Sequence, residues 1–349
     1  MENDRSGMVE PTMEEWRELY QAAIEFERIG CWDWMWDTDM FGVKNPETGE
    51  IGYCCVMGGA GEYYGLGVYL GTEGLEGYQR IQAGEILPSS PDALFVQKCL
   101  MVSFEDRDFL DKRDIDLIKK LGLKFRGKTA WPLFRNYCPG YFPWYLDAAE
   151  VRFLTHVLQQ TIEVSLRFKN NPGLFDPPRN SINKYLVRVS ELKDGILCWR
   201  DEWLEPEPLE KTEIKSNPVD INLLRKIDRV ITRRQGTWEV DFFYFPEAVR
   251  EKNERPYYPL VVLWVNHNSG YVFNSHLVKS KENLSDLPLL FMKIVENIRL
   301  LPKVILVRRE EAFGLLLSVA RALGIKLRLV ERLVIIEDVH DSMFQYFNE

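Results

Sequence analysis

The sequence predicts an α+β domain followed by an α/β domain. Three observations carry that expectation. A capped amphipathic helix and several strand-like segments turned at glycines fill residues 9–204. A polar stretch interrupted by three prolines, residues 205–218, then changes the character of the chain. Beyond it the apolar segments follow one another in the order βββαβαβα. At 349 residues the chain exceeds what one hydrophobic core usually serves. The expected boundaries are 9–204 for the first domain, 205–219 for a linker, and 220–349 for a second domain opened by a basic helix.

Each element has a local reason. Thr12 and Glu15 form a T-x-x-E capping box before an apolar stripe of Trp16, Leu19, Tyr20, Ala23 and Phe26, so a helix is expected up to Gly30. Strand-like segments follow at 40–44, 51–57 and 63–70, and Thr72 is placed to cap a short helix to Ile81. Residues 93–104 read as another strand, 111–121 as a helix stopped at Gly122, and 131–138 as extended chain. Asp147 and Glu150 open a long helix to about Phe168. Segments 184–190 and 196–203, joined at Asp194-Gly195, read as a hairpin. In the second domain the basic helix carries Arg225, Lys226, Arg229, Arg233 and Arg234. Strands are expected at 238–245, 259–265 and 270–278, and a helix at 284–299. Strand 303–307, helix 310–323, strand 325–330 and a last helix from near Glu337 complete the order.

Composition narrows the function classes. Hydrophobic residues make up 46% and charged residues 28%, values of an ordinary globular protein. No run approaches the roughly 18 apolar residues of a membrane span. The first residues are acidic and polar, which argues against a signal peptide and makes the cytoplasm the expected location. The six cysteines, at 31, 54, 55, 99, 138 and 198, form no C-x-x-C pair, so buried free thiols are expected rather than a metal or redox motif. Only four histidines are present. Cysteine and histidine usage thus implies neither a metal nor a cofactor. From residue 220 onward 19 Lys and Arg stand against 17 Asp and Glu, and before it 25 stand against 36. The acidic front part repels nucleic acid, and contact of the basic helix with phosphates is the less favoured reading.

The stretch VMGGAGEYYGLGVYLG, residues 56–71, holds six glycines. A dinucleotide loop would need G-x-G-x-x-G leading into a helix. Here Gly61 and Gly65 stand one residue too far apart, and the following residues are strand-like. A hairpin turn near Gly58–Gly61 is expected instead. Gly65 and Gly67 would share a strand face under one of Trp32, Trp34 or Trp36.

The run WDWMWDTDMFGVKNPETGEIGYCCVMGGAGEYYGLGVYLGTEGLEGY, residues 32–78, resembles the signature of an uncharacterised bacterial family. Leu301-Pro302-Lys303-Val304, VRREE at 307–311 and ALGIKLRLVERL at 322–333 resemble a second such family, often fused to the first. These resemblances imply a domain organisation and a bacterial cytoplasmic setting, but no activity. The βββαβαβα order resembles the ribonuclease H-like fold, and WEVDFFYF resembles the first strand of integrase and transposase cores. That second resemblance implies metal-holding carboxylates, with Asp241 in the first position, Glu310 after the fourth strand, and Asp338 (or Glu337) on the last helix. Arg308 and Arg309 stand where such enzymes carry Asp. They alternate along the strand, so one is expected to face the metal position.

A non-catalytic binding or scaffold protein, with a protein or small-molecule partner and no membrane, is therefore the leading expectation. A metal-dependent nuclease using Asp241, Glu310 and Asp338 is one alternative. The other is a small-ligand sensor built on Trp32, Trp34, Trp36, Asp37 and Asp39, because acid–aromatic clusters can hold sugars or cations.

Overall fold

The computed structural model describes residues 9–348 except 62, 88–89, 180, 182, 210–216, 218–219, 253 and 280. For 91, 282 and 344–348 it describes the backbone alone. Most of the expected linker thus lies outside the described residues. The chain divides into one unit of Met1–Leu209 with Lys252–Arg255, and a second of Glu210–Glu251 with Pro256–Glu349.

The first unit is built on α1 (Met13–Ile29), β1 (Phe41–Lys44), β2 (Ile51–Met57), β3 (Gly65–Leu70), α2 (Gly71–Gln82), β4 (Cys99–Glu105), α3 (Lys112–Lys120), β5 (Trp131–Tyr137), α4 (Ala148–Asn170), β6 (Tyr185–Lys193) and β7 (Ile196–Leu204). Its described strands form one sheet in the order β5-β4-β3-β2-β1-β6-β7. Neighbours are antiparallel except β1 and β6. Helices α1, α3 and α4 each begin at a capping box, on Thr12, Asp111 and Asp147. Gly30, in the left-handed conformation, closes α1. The core packs α1 and α4 through Leu19, Phe26, Val151, Leu154 and Leu158 onto Cys54, Val56, Leu66, Val68 and Val102 of the sheet. Burial pushes the thiols of Cys31, Cys55 and Cys99 up to about 12, which leaves them protonated and unreactive.

The glycine-rich stretch is a hairpin. Met57 pairs with Gly65 across antiparallel β2 and β3, and Gly58 turns the chain at φ 137°. The expected neighbour of Gly65 is replaced by another. A Cβ there would run into the Val102 carbonyl of β4, so the close contact is backbone to backbone. The tryptophans instead cover the turn: Trp32 lies on Gly58 and Trp36 on Gly59. Two other expectations are corrected. Helix α2 starts at Gly71 with no side-chain cap, and Thr72 donates its hydroxyl to the Glu207 carbonyl at 2.5 Å. Residues 93–104 are not one strand, because Ser90 caps a 3-10 turn over Pro91–Phe95 before β4 begins.

A buried cation ties α4 to the β6–β7 hairpin. Arg188, its side chain 5% exposed, donates to Gln160 Oε1 at 2.9 Å, Glu163 Oε2 at 2.9 Å and Asp201 Oδ1 at 2.6 Å. Arg167 donates to the same Oδ1 at 3.1 Å. Asp194 (φ 51°) and Gly195 (φ 79°) make the tight turn between these strands.

The second unit contains α5 (Ile221–Val230), β8 (Thr237–Tyr244), β9 (Leu260–Asn266), β10 (Val272–Val278), α6 (Leu287–Ile298), β11 (Val304–Val307), α7 (Glu310–Ala322), β12 (Lys326–Leu329) and α8 (Val334–Asn348). After α5 the order is βββαβαβα. The sheet runs β10-β9-β8-β11-β12, with β8, β9 and β10 antiparallel and β11 parallel to both β8 and β12. Strand β8 is buried on both faces. One face meets α6, where the Phe291 ring lies 6.0 Å from Trp238 and 5.4 Å from Trp264. The other face meets α8 through Phe243, Leu263, Val265, Leu333 and Ile336.

Gly65→Ala is expected to lower the stability of the chain by about 1–3 kcal/mol, read as a urea midpoint shift, because β4 must move to admit the methyl group. Asp201 carries a pH prediction. Arg167, then Arg188, hold its carboxyl below the ordinary 3.8. The unfolded chain therefore binds the proton more readily, and the stabilisation present above pH 3.8 is lost as pH falls through the lower folded value. Melting temperature measured against pH should fall along this acid limb, and the fall should be shallower in Asp201→Asn.

Candidate functional site

In a strand buried on both faces, a carboxylate left without a partner is costly. Strand β8 carries two carboxylates on one face, Glu239 and Asp241, spaced two residues apart as strand alternation requires. Both are buried, Glu239 at 0% and Asp241 at 2% exposure.

Asp241 is held by arginines on both oxygens. Arg308 reaches Oδ2 with Nη2 at 3.1 Å and Nε at 3.2 Å. Arg309 donates Nε to Oδ1 at 3.1 Å and to the Phe242 carbonyl at 3.1 Å, with its guanidinium over the Phe242 ring. Strand alternation leads one to expect a single arginine here. Both arrive because β11 ends at Val307 and the chain bends before α7, so alternation no longer separates them.

The other two carboxylates of the nuclease expectation lie on the surface. Glu310 is exposed in the first turn of α7, beside Glu311, where the helix dipole favours acids. Asp338 is exposed on α8, and with Gly270, Ile335 and Met343 it edges an open pocket of about 510 Å³. Among the described residues, no group of three or more His, Cys, Asp or Glu side chains is arranged to hold a metal ion.

Glu239 escaped the sequence reading. Its Oε1 lies 2.5 Å from His267 Nδ1, and its Oε2 accepts the Ile336 backbone N–H at 3.0 Å. The carboxylate thus pins the start of α8 to the sheet and orients an imidazole that is 41% exposed. The signal was present in W-E-V-D. Two acids at i and i+2 in an otherwise apolar strand share a face, and the strand-ending Asn266-His267-Asn268 supplies a partner.

In the first unit the acid–aromatic cluster is divided. Trp32 packs among Phe26, Tyr64 and Phe104, and Trp34 donates its indole N–H to the Ser165 carbonyl at 2.9 Å. Trp36 is 60% exposed over Gly59. Asp37 accepts from Gln82 Nε2 at 3.0 Å, and Asp39 accepts the Trp36 backbone N–H at 2.8 Å. Of these five residues only Asp39 lines a cleft of about 580 Å³, together with Glu76, Gln79, Phe175, Asp176 and Tyr185 among others. No described helix is long and apolar enough to cross a membrane.

These features define a mixed α/β protein of two units, each built on its own sheet. Residues 16–188 match the family described as domain of unknown function (DUF7309), and residues 223–344 match domain of unknown function (DUF6930), so the chain is a fusion of these two families. No curated protein matches the chain. Among solved structures, it is similar to the catalytic core domain of HTLV-2 integrase in complex with magnesium. The trimeric form is 16% identical at a TM-score of 0.23, covering 32% of this chain and 67% of that one. The dimeric form is 17% identical at a TM-score of 0.22, covering 28% and 62%.

Unequal costs are expected at the Glu239–His267 pair. Glu239→Ala strands a buried N–H and empties a packed site, and should cost about 3 kcal/mol. His267→Ala, at a half-exposed position, should cost about 1 kcal/mol. Urea unfolding of both variants checks this, and equal losses would contradict it.

Proposed function

We propose that the protein is a non-catalytic binding or scaffold protein of the bacterial cytoplasm, and that its second unit is a ribonuclease H-like fold whose metal position serves the fold instead of chemistry. The strand order with β8 at its centre supports the topology. One observation supports the loss of catalysis: both oxygens of Asp241 are engaged by Arg308 and Arg309. A two-metal centre needs carboxylate oxygens that bridge ions about 3.5–4 Å apart. A guanidinium offers five donors and no acceptor, and its charge opposes a divalent cation. With the fold kept and the carboxylate sequestered, surfaces remain to do the work. A small-ligand role for the first unit finds support in the cleft that Asp39 lines.

Incubation with Mg²⁺ or Mn²⁺ and single-stranded or duplex DNA or RNA tests the reading. No cleavage is expected, and neither ion should raise the melting temperature. Metal-dependent cleavage that disappears in Asp241→Asn, with the fold retained, would overturn it.

A further inference from the structure

Three segments of the second unit meet along one end of its sheet, where the parallel strands β8, β11 and β12 begin. Main-chain bonds join them in a row. Leu301 donates to Arg233 at 3.0 Å, Gln235 to Leu301 at 2.9 Å, Lys303 to Gly236 at 2.9 Å, and Lys326 to Lys303 at 3.0 Å. Arg234 crosses to the Leu323 carbonyl at 2.5 Å. Residues 225–236, 298–303 and 321–326 together hold nine Lys and Arg against one acid, Asp228. Asp228 is taken by Arg234 at 3.6 Å, and Lys226 is matched by Glu296 at 2.5 Å. Arg225, Arg229, Arg233, Lys303, Arg321 and Lys326 are exposed. The rest of the second unit is acidic in balance, so this rim is a local concentration of charge and not a reflection of the whole.

Arg299 adds a backbone observation. It closes α6 at φ 52°, a left-handed position that glycine occupies at lower cost. A cation stands on the rim where local stability alone would favour a residue without a side chain.

We infer that this rim binds the phosphate backbone of double-stranded DNA without reading its sequence. The inference rests on the non-catalytic binding reading and names a partner for it. Arginine forks and lysines match phosphate oxygens. The three segments contain no Phe, Tyr or Trp. Single strands are held largely by bases stacked on aromatic rings, and protein interfaces are anchored by buried aromatics. A-form RNA is recognised through its 2′-hydroxyls, which call for neutral polar side chains. The rim's neutral polar residues are Thr232 and Gln235, and Gln235 Oε1 already accepts from Arg233 at 3.2 Å. The chain's net charge of −9 does not forbid binding, because at about 0.1 M salt charges more than about 10 Å away are largely screened.

The test uses the full chain, a fluorescein-labelled mixed-sequence DNA duplex and anisotropy in EDTA, so that binding is read with cleavage suppressed. The wild type should bind, with affinity falling steeply as salt rises. Arg233→Glu/Lys303→Glu should weaken binding at least about tenfold and reduce the salt slope by about two. Lys124→Glu/Arg126→Glu, an equal change of net charge on the first unit, should leave it unchanged. Arg299→Gly should weaken binding while raising the melting temperature, an opposition that a purely structural role would not produce. No wild-type binding, binding that survives the rim variants, tighter binding of duplex RNA, or displacement by polyglutamate as effective as by unlabelled duplex would each overturn the inference. Metal-dependent cleavage in the separate nuclease assay would strike the non-catalytic reading instead.

Discussion

A carboxylate buried in a sheet must be matched by charge or donors from elements that the sheet itself positions, and β8 carries two. Glu239 is matched by His267 at the end of β9 and by the first turn of α8. Asp241 is matched by two arginines at the end of β11. Three elements of the second unit, β9, α8 and β11, are thereby fixed to its central strand by polar contacts that tolerate little displacement. Such pairs are weak sources of net stability, because desolvation offsets their attraction. Losing a partner is costly where the group left behind stays shut off from water, whereas beside the half-exposed His267 water can take the place of the imidazole. Their consequence here is specificity: α8 has one place to start, and the bend after β11 has one way to turn.

The same contacts bear on function. A carboxylate placed on the first strand of such a sheet can serve a metal or serve the fold, and it cannot do both while its oxygens are engaged. On the proposed reading, Arg308 and Arg309 commit Asp241 to the fold. The cations that could act on a partner stand instead at the opposite end of the parallel strands, around Lys303 and Lys326, where their side chains are exposed. The first unit is governed by a different constraint, the close approach of backbone. Gly65 admits the Val102 carbonyl, and aromatic side chains close over the turn that follows β2.

Much of this fold was legible locally. Capping boxes at Thr12, Asp111 and Asp147 and the Asp194-Gly195 turn are short-range chemistry, and each stands where its residues put it. The alternation of apolar segments after Gly236 gave the order of the second unit. What escaped depends on partners distant in sequence. The neighbour of Gly65 is a carbonyl 37 residues away, which no local pattern encodes. Glu239 finds its partners 28 and 97 residues away. The convergence of both arginines on Asp241 followed from where β11 ends, and strand boundaries are the least readable feature of a sequence. Ser90-Pro91 did announce a break before β4, and the apolar run beyond it masked that signal.

The most direct measurement is an amide NMR spectrum of the full chain titrated with Mn²⁺, whose unpaired electrons broaden nearby signals. If Arg308 and Arg309 occupy both oxygens of Asp241, the amides of Val240, Asp241 and Phe242 keep their line widths as Mn²⁺ is added. Selective broadening of those three signals, abolished in Asp241→Asn, would mean that the carboxylate is open to a metal ion and would contradict the account.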